Sequence, residues 1–373
     1  MKDQFGRNIE YMRISVTDRC NLRCQYCMPA EGVQSIPHEE IMSFEEIASI
    51  VRIAAKLGIH SIRLTGGEPL VRKGLSSLVS EIRSIPGIDA VKITTNGVLL
   101  KDQLPSLMEA GLTGINLSLD TFTAGKFQKI SRRDEMTHVL EGLDAALAVS
   151  DRLSVKINCV PMKGFNDDEL IKIALLAKDN RIGVRFIELM PIGLGRAYEG
   201  MTQEEIIALL EPILGPLERD ERTYDPSVPT EKPATVGSIP LRQDTSTGSA
   251  AATQNSAAGT TPATNHHFID GSGPAVYFHP AGFEGNIGFI SAMSHKFCDT
   301  CNRIRLTSDG VLKPCLQYTG TTNIKDLLRQ GASDRDLENA LRSVIFQKPR
   351  CHSFLDSEHD PAKETRKMSG IGG

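Results

Sequence analysis

The sequence predicts an α/β fold: a partial (β/α)6 barrel of the TIM type, with a C-terminal extension that closes its open side. Six short apolar runs rich in β-branched residues, at 12–16, 61–64, 90–94, 114–119, 154–160 and 183–189, alternate with segments of helical pattern. That alternation implies βα units on a parallel sheet. Each run also ends in polar or glycine-rich residues, and a distinct cysteine-bearing region follows the sixth unit. Six units are two short of a closed barrel.

Taken in order, the first strand runs into Thr17 and Asp18 and then into Cys20, Cys24 and Cys27. Ser43 and Glu46 form a capping-box pattern that opens a helix to Leu57, where Gly58 stops it. The second strand ends in Thr65-Gly66-Gly67-Glu68-Pro69 and the third in Thr95-Asn96-Gly97, with helices expected at 75–84 and 104–110. The fourth strand ends at Ser118-Leu119-Asp120, and a helix at 136–148 leads to the fifth, which ends at Asn158-Cys159-Val160-Pro161. A helix at 168–178 precedes the sixth strand, which ends at Glu188-Leu189-Met190-Pro191. Barrels of parallel strands carry their active sites at these carboxyl ends. Turn formation alone also explains many of these Gly, Asn, Asp and Pro residues, and both roles are compatible.

From 231 to 267 the composition shifts to Ser, Thr, Ala, Gly, Gln and Asn, and 243–264 is nearly free of large apolar residues. Such a stretch cannot bury enough surface to offset chain entropy and reads as a disordered insertion. The expected division is a barrel domain at 1–225, a linker at 226–274 and a second-cluster domain at 275–373, with strands at 275–278 and 286–290.

With 373 residues and 40% hydrophobic composition, the chain can bury one large core. A formal charge of -4 and a pI near 6.2 argue against nucleic acid or an anionic membrane as the main partner. No apolar run is long enough for a membrane span and the N-terminus has no signal-peptide pattern, so a cytoplasmic protein with reduced thiols is expected. Six of the eight cysteines fall into two trios, Cys20/Cys24/Cys27 and Cys298/Cys301/Cys315. Cys159 and Cys351 read as buried structural residues.

Three thiolates can hold three irons of a 4Fe-4S cube and leave the fourth open, whereas electron-carrier clusters have four protein thiolates. Structural zinc also wants four ligands, and none lies near the first trio. At the second trio zinc stays open, with His295 or Cys351 as the missing ligand. Arg303 and Arg305, two apart on a strand, share a face and form a candidate phosphate site.

The Cys20-x3-Cys24-x2-Cys27 spacing, with Tyr26 before the third cysteine, resembles the signature of the radical S-adenosylmethionine (SAM) enzymes. The Arg13-Ile14-Ser15-Val16-Thr17-Asp18 opening, Cys298-x2-Cys301-Asn302-Arg303-Ile304-Arg305 with Cys315, and the Gly372-Gly373 end narrow the resemblance to the GTP 3',8-cyclases of molybdenum cofactor biosynthesis. The resemblance spans nearly the whole chain apart from the low-complexity insertion. It implies two 4Fe-4S clusters, each held by one trio, with Cys20, Cys24 and Cys27 catalytic and SAM as cofactor. It further implies SAM contacts at Tyr26, Gly67, Ser118 and Met190, and GTP contacts at Arg13, Arg63, Thr94, Lys156, Arg303 and Arg305. Arg185, Gly372 and Gly373 are expected to support that site. The implied partners are GTP as substrate, cyclic pyranopterin monophosphate synthase as the next enzyme and an electron donor, with a homodimer left open. Two rivals are a peptide-modifying radical enzyme, which would need more C-terminal cysteines, and a zinc-holding nucleotide-binding regulator, which would be colourless.

Overall fold

Tyr11–Ser15 (β1) begins a series of βα units in a computed structural model that describes residues 1–34, 36–220, 273–320, 322–354, 364, 366 and 368–371. Phe44–Lys56 (α1), Ser61–Thr65 (β2), Leu75–Arg83 (α2), Ala90–Thr95 (β3), Leu100–Glu109 (α3) and Gly114–Ser118 (β4) follow. Next come Ala124–Ser131 (α4), Met136–Leu147 (α5), Ser154–Cys159 (β5), Leu170–Ala174 (α6), Gly183–Ile187 (β6) and Gln203–Leu214 (α7). Strands β1 to β6 lie side by side in chain order, every pair parallel. The capping box is formed: the Glu46 N–H donates to Ser43 Oγ at 3.2 Å, and the Ser43 N–H to the Glu46 carboxylate at 2.7 Å. Gly58, at φ 90°, stops the helix. Helices α4 and α7 were not expected, although Thr202 and Glu205 form the same reciprocal box at the start of α7.

The C-terminal region contributes Glu218–Arg219 (β7), Val276–His279 (β8), Asn286–Ile290 (β9), Arg303–Leu306 (β10), Val311–Lys313 (β11) and Thr322–Asn323 (β12). Ile324–Arg329 (α8), Asp334–Phe346 (α9) and Met368–Ile371 (α10) complete the described elements. The sheet order is β12-β11-β10-β1-β2-β3-β4-β5-β6-β9-β8-β7. The extension therefore flanks the opening from both edges: β10 pairs parallel with β1, and β9 pairs parallel with β6. Residues 243–264, Gly372 and Gly373 lie outside the described residues. Among the described residues no helix is long and apolar enough to cross a membrane.

The strands alternate between two unlike faces. Met12, Ile14, Ile62, Leu64, Val91, Ile93, Ile115, Leu117, Val155, Ile157, Val184 and Phe186 belong to the apolar core. The residues between them, Ser61, Arg63, Lys92, Asn116, Lys156 and Arg185, are buried as well, Arg13 is half-buried, and by the period of two all of them share the opposite face. Closed eight-stranded barrels fill that face with apolar layers. Here it is polar and cationic, a lining suited to an anionic ligand.

Candidate active site

The first cysteine trio sits on the loop after β1, anchored by the helix across from it. The N–H groups of Arg23 and Gln25 donate to the carbonyls of Ser131 and Ile130 at 2.8 and 2.9 Å, satisfying the open end of α4. Arg132, left-handed at φ 54°, donates from one guanidinium nitrogen to the carbonyls of Arg23 and Met28, each at 2.9 Å. No sequence pattern pointed to Arg132. Burial pushes the Cys20 thiol up to about 11. Burial, followed by the neighbouring Cys27, Asp120 and Cys20, pushes Cys24 well above the ordinary thiol value. A metal cation bound by such thiols would displace their protons to solvent, so binding there is coupled to deprotonation. Donors for bound sulfur are in place: the Leu22 N–H lies 3.4 Å and the Asn96 amide 3.8 Å from Cys20 Sγ. None of the eight cysteines is in a disulfide.

The other residues expected at the SAM site surround this loop. The Tyr26 hydroxyl donates to Asp120 Oδ2 at 2.6 Å, at the end of β4 beside Ser118. Met190 follows β6, on a turn braced by Glu188, whose carboxylate accepts from the N–H groups of Met293 and Ser294 at 2.6 and 2.9 Å. The glycine turn needs its glycines for the cysteine loop itself. A Cβ on Gly66 would stand 2.5 Å from the Thr17 carbonyl oxygen, and one on Gly67 would stand 2.3 Å from that of Arg19. The same strands are laced by Gly67 N–H to the Thr17 carbonyl and Glu68 N–H to the Arg19 carbonyl, both 2.8 Å. Glu68, missed by the motif reading, accepts from the Thr95 hydroxyl and the N–H groups of Asn96 and Leu70 at 2.8, 2.7 and 3.0 Å. Burial nevertheless lifts its carboxyl to about 7. Gly67→Ala is expected to cost about 1–3 kcal/mol, the usual range for overpacking. It should lower Tm by several degrees in calorimetry, while Gly125→Ala, with nothing within 4 Å of its Cβ, should leave Tm unchanged or raised.

Strand register assembles the interior. Arg13 lies opposite Arg305 on one side and Arg63 on the other, and Arg63 lies opposite Lys92. Thr94 pairs with Asn116, which pairs with Lys156. Arg185 donates to Asn158 Oδ1 from Nε at 2.9 Å. Arg303 and Arg305 do share a face, and Arg303 lies 5.8 Å from the Tyr11 ring centre. Burial, then the guanidiniums of Arg63 and Arg185, brings the Lys92 ammonium down to about 7. Burial and the neighbouring Arg185, Lys92 and Arg63 hold Lys156 well below the ordinary lysine value. Two buried polar atoms, Arg63 Nη1 and Thr94 Oγ1, have no hydrogen-bond partner, as expected of groups that await an oxygen-rich ligand. Lys92 and Asn116 escaped the motif reading, although period-two alternation through each strand would have placed them on this face.

The second trio lies at the other end of the barrel. Cys298 and Cys301 precede β10 and Cys315 follows β11, and the antiparallel pairing of Arg305 with Lys313 brings these ends together. Because β10 runs parallel to β1, they sit at the amino end of β1, whereas Cys20 follows its carboxyl end. Five residues at about 3.3 Å each put roughly 16 Å of strand between the two levels. Burial raises the Cys298 thiol, and the His352 N–H opposes that rise. Burial alone would raise the Cys301 thiol, but the neighbouring Lys348 and Arg303 bring it down to about 7. Of the two candidate fourth ligands, His295 faces Glu204 at 3.5 Å. Cys351 is exposed, not buried as expected, and lies near enough to Cys298 to raise its pKa. Among the described residues no three His, Cys, Asp or Glu side chains are placed to hold a single metal ion.

A cysteine trio at the mouth of a six-stranded parallel partial barrel, with residues 14–177 matching the family model for the radical SAM superfamily, defines the class of protein. Residues 236–354 match the model for Molybdenum Cofactor Synthesis C. The GTP 3',8-cyclase of Moorella thermoacetica is 42% identical over 377 residues, that of Thermodesulfovibrio yellowstonii 41% over 374, and that of Pelotomaculum thermopropionicum 40% over 376. Each alignment covers 100% of both chains. The chain belongs to the GTP 3',8-cyclase family.

Proposed function

We propose that the protein converts GTP to (8S)-3',8-cyclo-7,8-dihydroguanosine 5'-triphosphate, removing hydrogen from ribose C3' and joining C3' to guanine C8. This is the first step of molybdenum cofactor biosynthesis. Cys20, Cys24 and Cys27 hold one 4Fe-4S cluster, and Cys298, Cys301 and Cys315 a second. What a cluster with an open iron supplies, when bound at the first trio, is chelation of SAM and the electron that splits it into methionine and a 5'-deoxyadenosyl radical. Tyr26, Gly67, Ser118 and Met190 bind SAM beside that trio. Arg13, Arg63, Thr94, Lys156, Arg303 and Arg305 bind GTP, with Arg185, Gly372 and Gly373 in support.

The observation that carries this reading is the cationic barrel interior between the two trios. A triphosphate brings about four negative charges, and converging guanidinium and ammonium groups are their natural counterpart. The orphaned Arg63 Nη1 and Thr94 Oγ1 support the same assignment. Cyclic pyranopterin monophosphate synthase would take the product, and a separate donor would deliver electrons. A homodimer and a cytoplasmic, reducing location belong to the same proposal. The test is an anaerobic assay of the reconstituted, reduced protein with SAM and GTP, following 5'-deoxyadenosine and the cyclised nucleotide by mass spectrometry. Deoxyadenosine without a nucleotide product would leave a radical enzyme with another substrate.

Lys92 joins the GTP site in this proposal and gives it a pH signature. With a folded pKa near 7, below its unfolded value, the empty fold binds fewer protons than the unfolded chain above pH 7. The destabilisation is full below pH 7 and fades as pH rises towards the unfolded value. A bound polyanion restores the ammonium. GTP binding is therefore expected to take up protons between about pH 7 and 9 and to weaken as pH rises. Calorimetry in two buffers of different ionisation enthalpy reads the uptake; identical apparent enthalpies would remove Lys92 from the site.

A further inference from the structure

Residues 348–352 cross the open end of the β10–β11 hairpin, where the second trio lies. Lys348 is 2% exposed, and its ammonium donates to the carbonyls of Arg303 at 2.9 Å and Pro314 at 2.6 Å. Its charge also helps to draw down the thiol of Cys301. An ammonium has three hydrogens, and two of them go to these carbonyls. Arg303 stands two residues after Cys301 and Pro314 immediately before Cys315, so one side chain joins both ligand segments. The strap that carries Lys348 is itself clamped. Arg7 donates to the carbonyls of Cys298, Pro349 and Arg350 at 2.7, 2.7 and 2.9 Å, and its Nε meets Asp3 at 2.6 Å.

A buried ammonium is costly unless an anion faces it. The hydrogen-bond partners of Lys348 are two carbonyls, each within two residues of a trio cysteine, so its counter-charge would come from the thiolates of a metal-loaded site. We propose that Lys348 is a positioning and charge-compensating residue of the second cluster, fixing Cys301 relative to Cys315 and raising the reduction potential of what they hold. Hydrogen bonds to sulfur and local net charge set cluster potentials, and partners behind the ligands orient them. The inference rests on the reading that Cys298, Cys301 and Cys315 bind a 4Fe-4S cluster.

The test uses the full chain with Cys20, Cys24 and Cys27 replaced by Ala, so that only the second cluster contributes. Iron per chain and a redox titration followed by electron paramagnetic resonance are compared for this parent, Lys348→Arg and Lys348→Gln. Lys348→Gln is expected to be reduced only at a more negative potential, and Lys348→Arg to stay close to the parent. An unchanged midpoint in Lys348→Gln, or an equal shift in both variants, overturns the proposal. Should Lys348→Gln not fold, the parent labelled with 15N at lysine side-chain amines decides. Pulsed resonance of the reduced cluster should then show a 15N coupling that Lys348→Arg lacks, and no coupling in the parent overturns the role. A parent that folds but binds no iron refutes the cluster reading itself, and the proposal with it.

Discussion

Cys24→Ala is expected to eliminate 5'-deoxyadenosine formation, to below roughly 10^-3 of the unsubstituted rate, because the chemistry belongs to the bound cluster and has no slower substitute among the side chains. Two thiolates would remain to hold three irons. The loss should be chemical and not structural. Cys24 lies on a loop whose hold on α4 runs through the backbone of Arg23 and Gln25 and through the Arg132 side chain, none of which the substitution removes. It also takes away a thiol that burial and its neighbours disfavour ionising. The iron-free variant should therefore melt near the iron-free parent. Mass spectrometry of dithionite-reduced, reconstituted protein reads the effect. Abundant deoxyadenosine from Cys24→Ala would sink the assignment of the first trio.

Lys156→Met should move activity and stability in opposite directions. Removing one partner of a buried, hydrogen-bonded charge pair costs about 3–5 kcal/mol. At 1.36 kcal/mol per tenfold, that predicts a loss of roughly 10^2 to 10^4 in kcat/KM for GTP. Without nucleotide, the amine is buried among Arg185, Lys92 and Arg63, and its pKa is held well below the ordinary lysine value chiefly by burial. Met is close to it in length and carries no charge. The GTP-free variant is thus expected to melt several degrees higher, as is common where a binding site stores unfavourable charge. Steady-state kinetics with GTP reads the first half, and calorimetry with and without GTP reads the second. A variant that binds GTP normally would place the triphosphate elsewhere, and one that melts lower would mean that packing of the lysine stem against Tyr277, 5.9 Å from the ammonium, dominates.

Much of this architecture is local and therefore legible in the chain. The six strands of the partial barrel fell within a few residues of their expected positions, because β-branched runs bounded by turn residues leave few alternatives. The Ser43 and Glu46 box is a contact between residues three apart. Both trios followed from spacing alone. What the motif reading passed over lay between motifs. Lys92 sits inside an apolar run, and its significance appears only when β3 is registered against Arg63 on β2. Glu68 looked like part of a turn, yet it holds the ends of β2 and β3 together.

By itself, the sequence determined the class of chemistry: thiolate spacing decides how many irons can be held, and residue period decides which side chains share a face. Only the tertiary structure decided where those groups meet. Parallel pairing of β10 with β1 puts the second trio at the end of the barrel opposite the first, with the cations between them. The same packing brings Lys348, 47 residues beyond Cys301 in the chain, onto the carbonyls of Arg303 and Pro314 beside the second trio, and turns Gly67 into a requirement of the neighbouring loop. Such contacts depend on strand register and helix docking, which are set by the burial of the whole apolar face and leave no local mark in the residues they join.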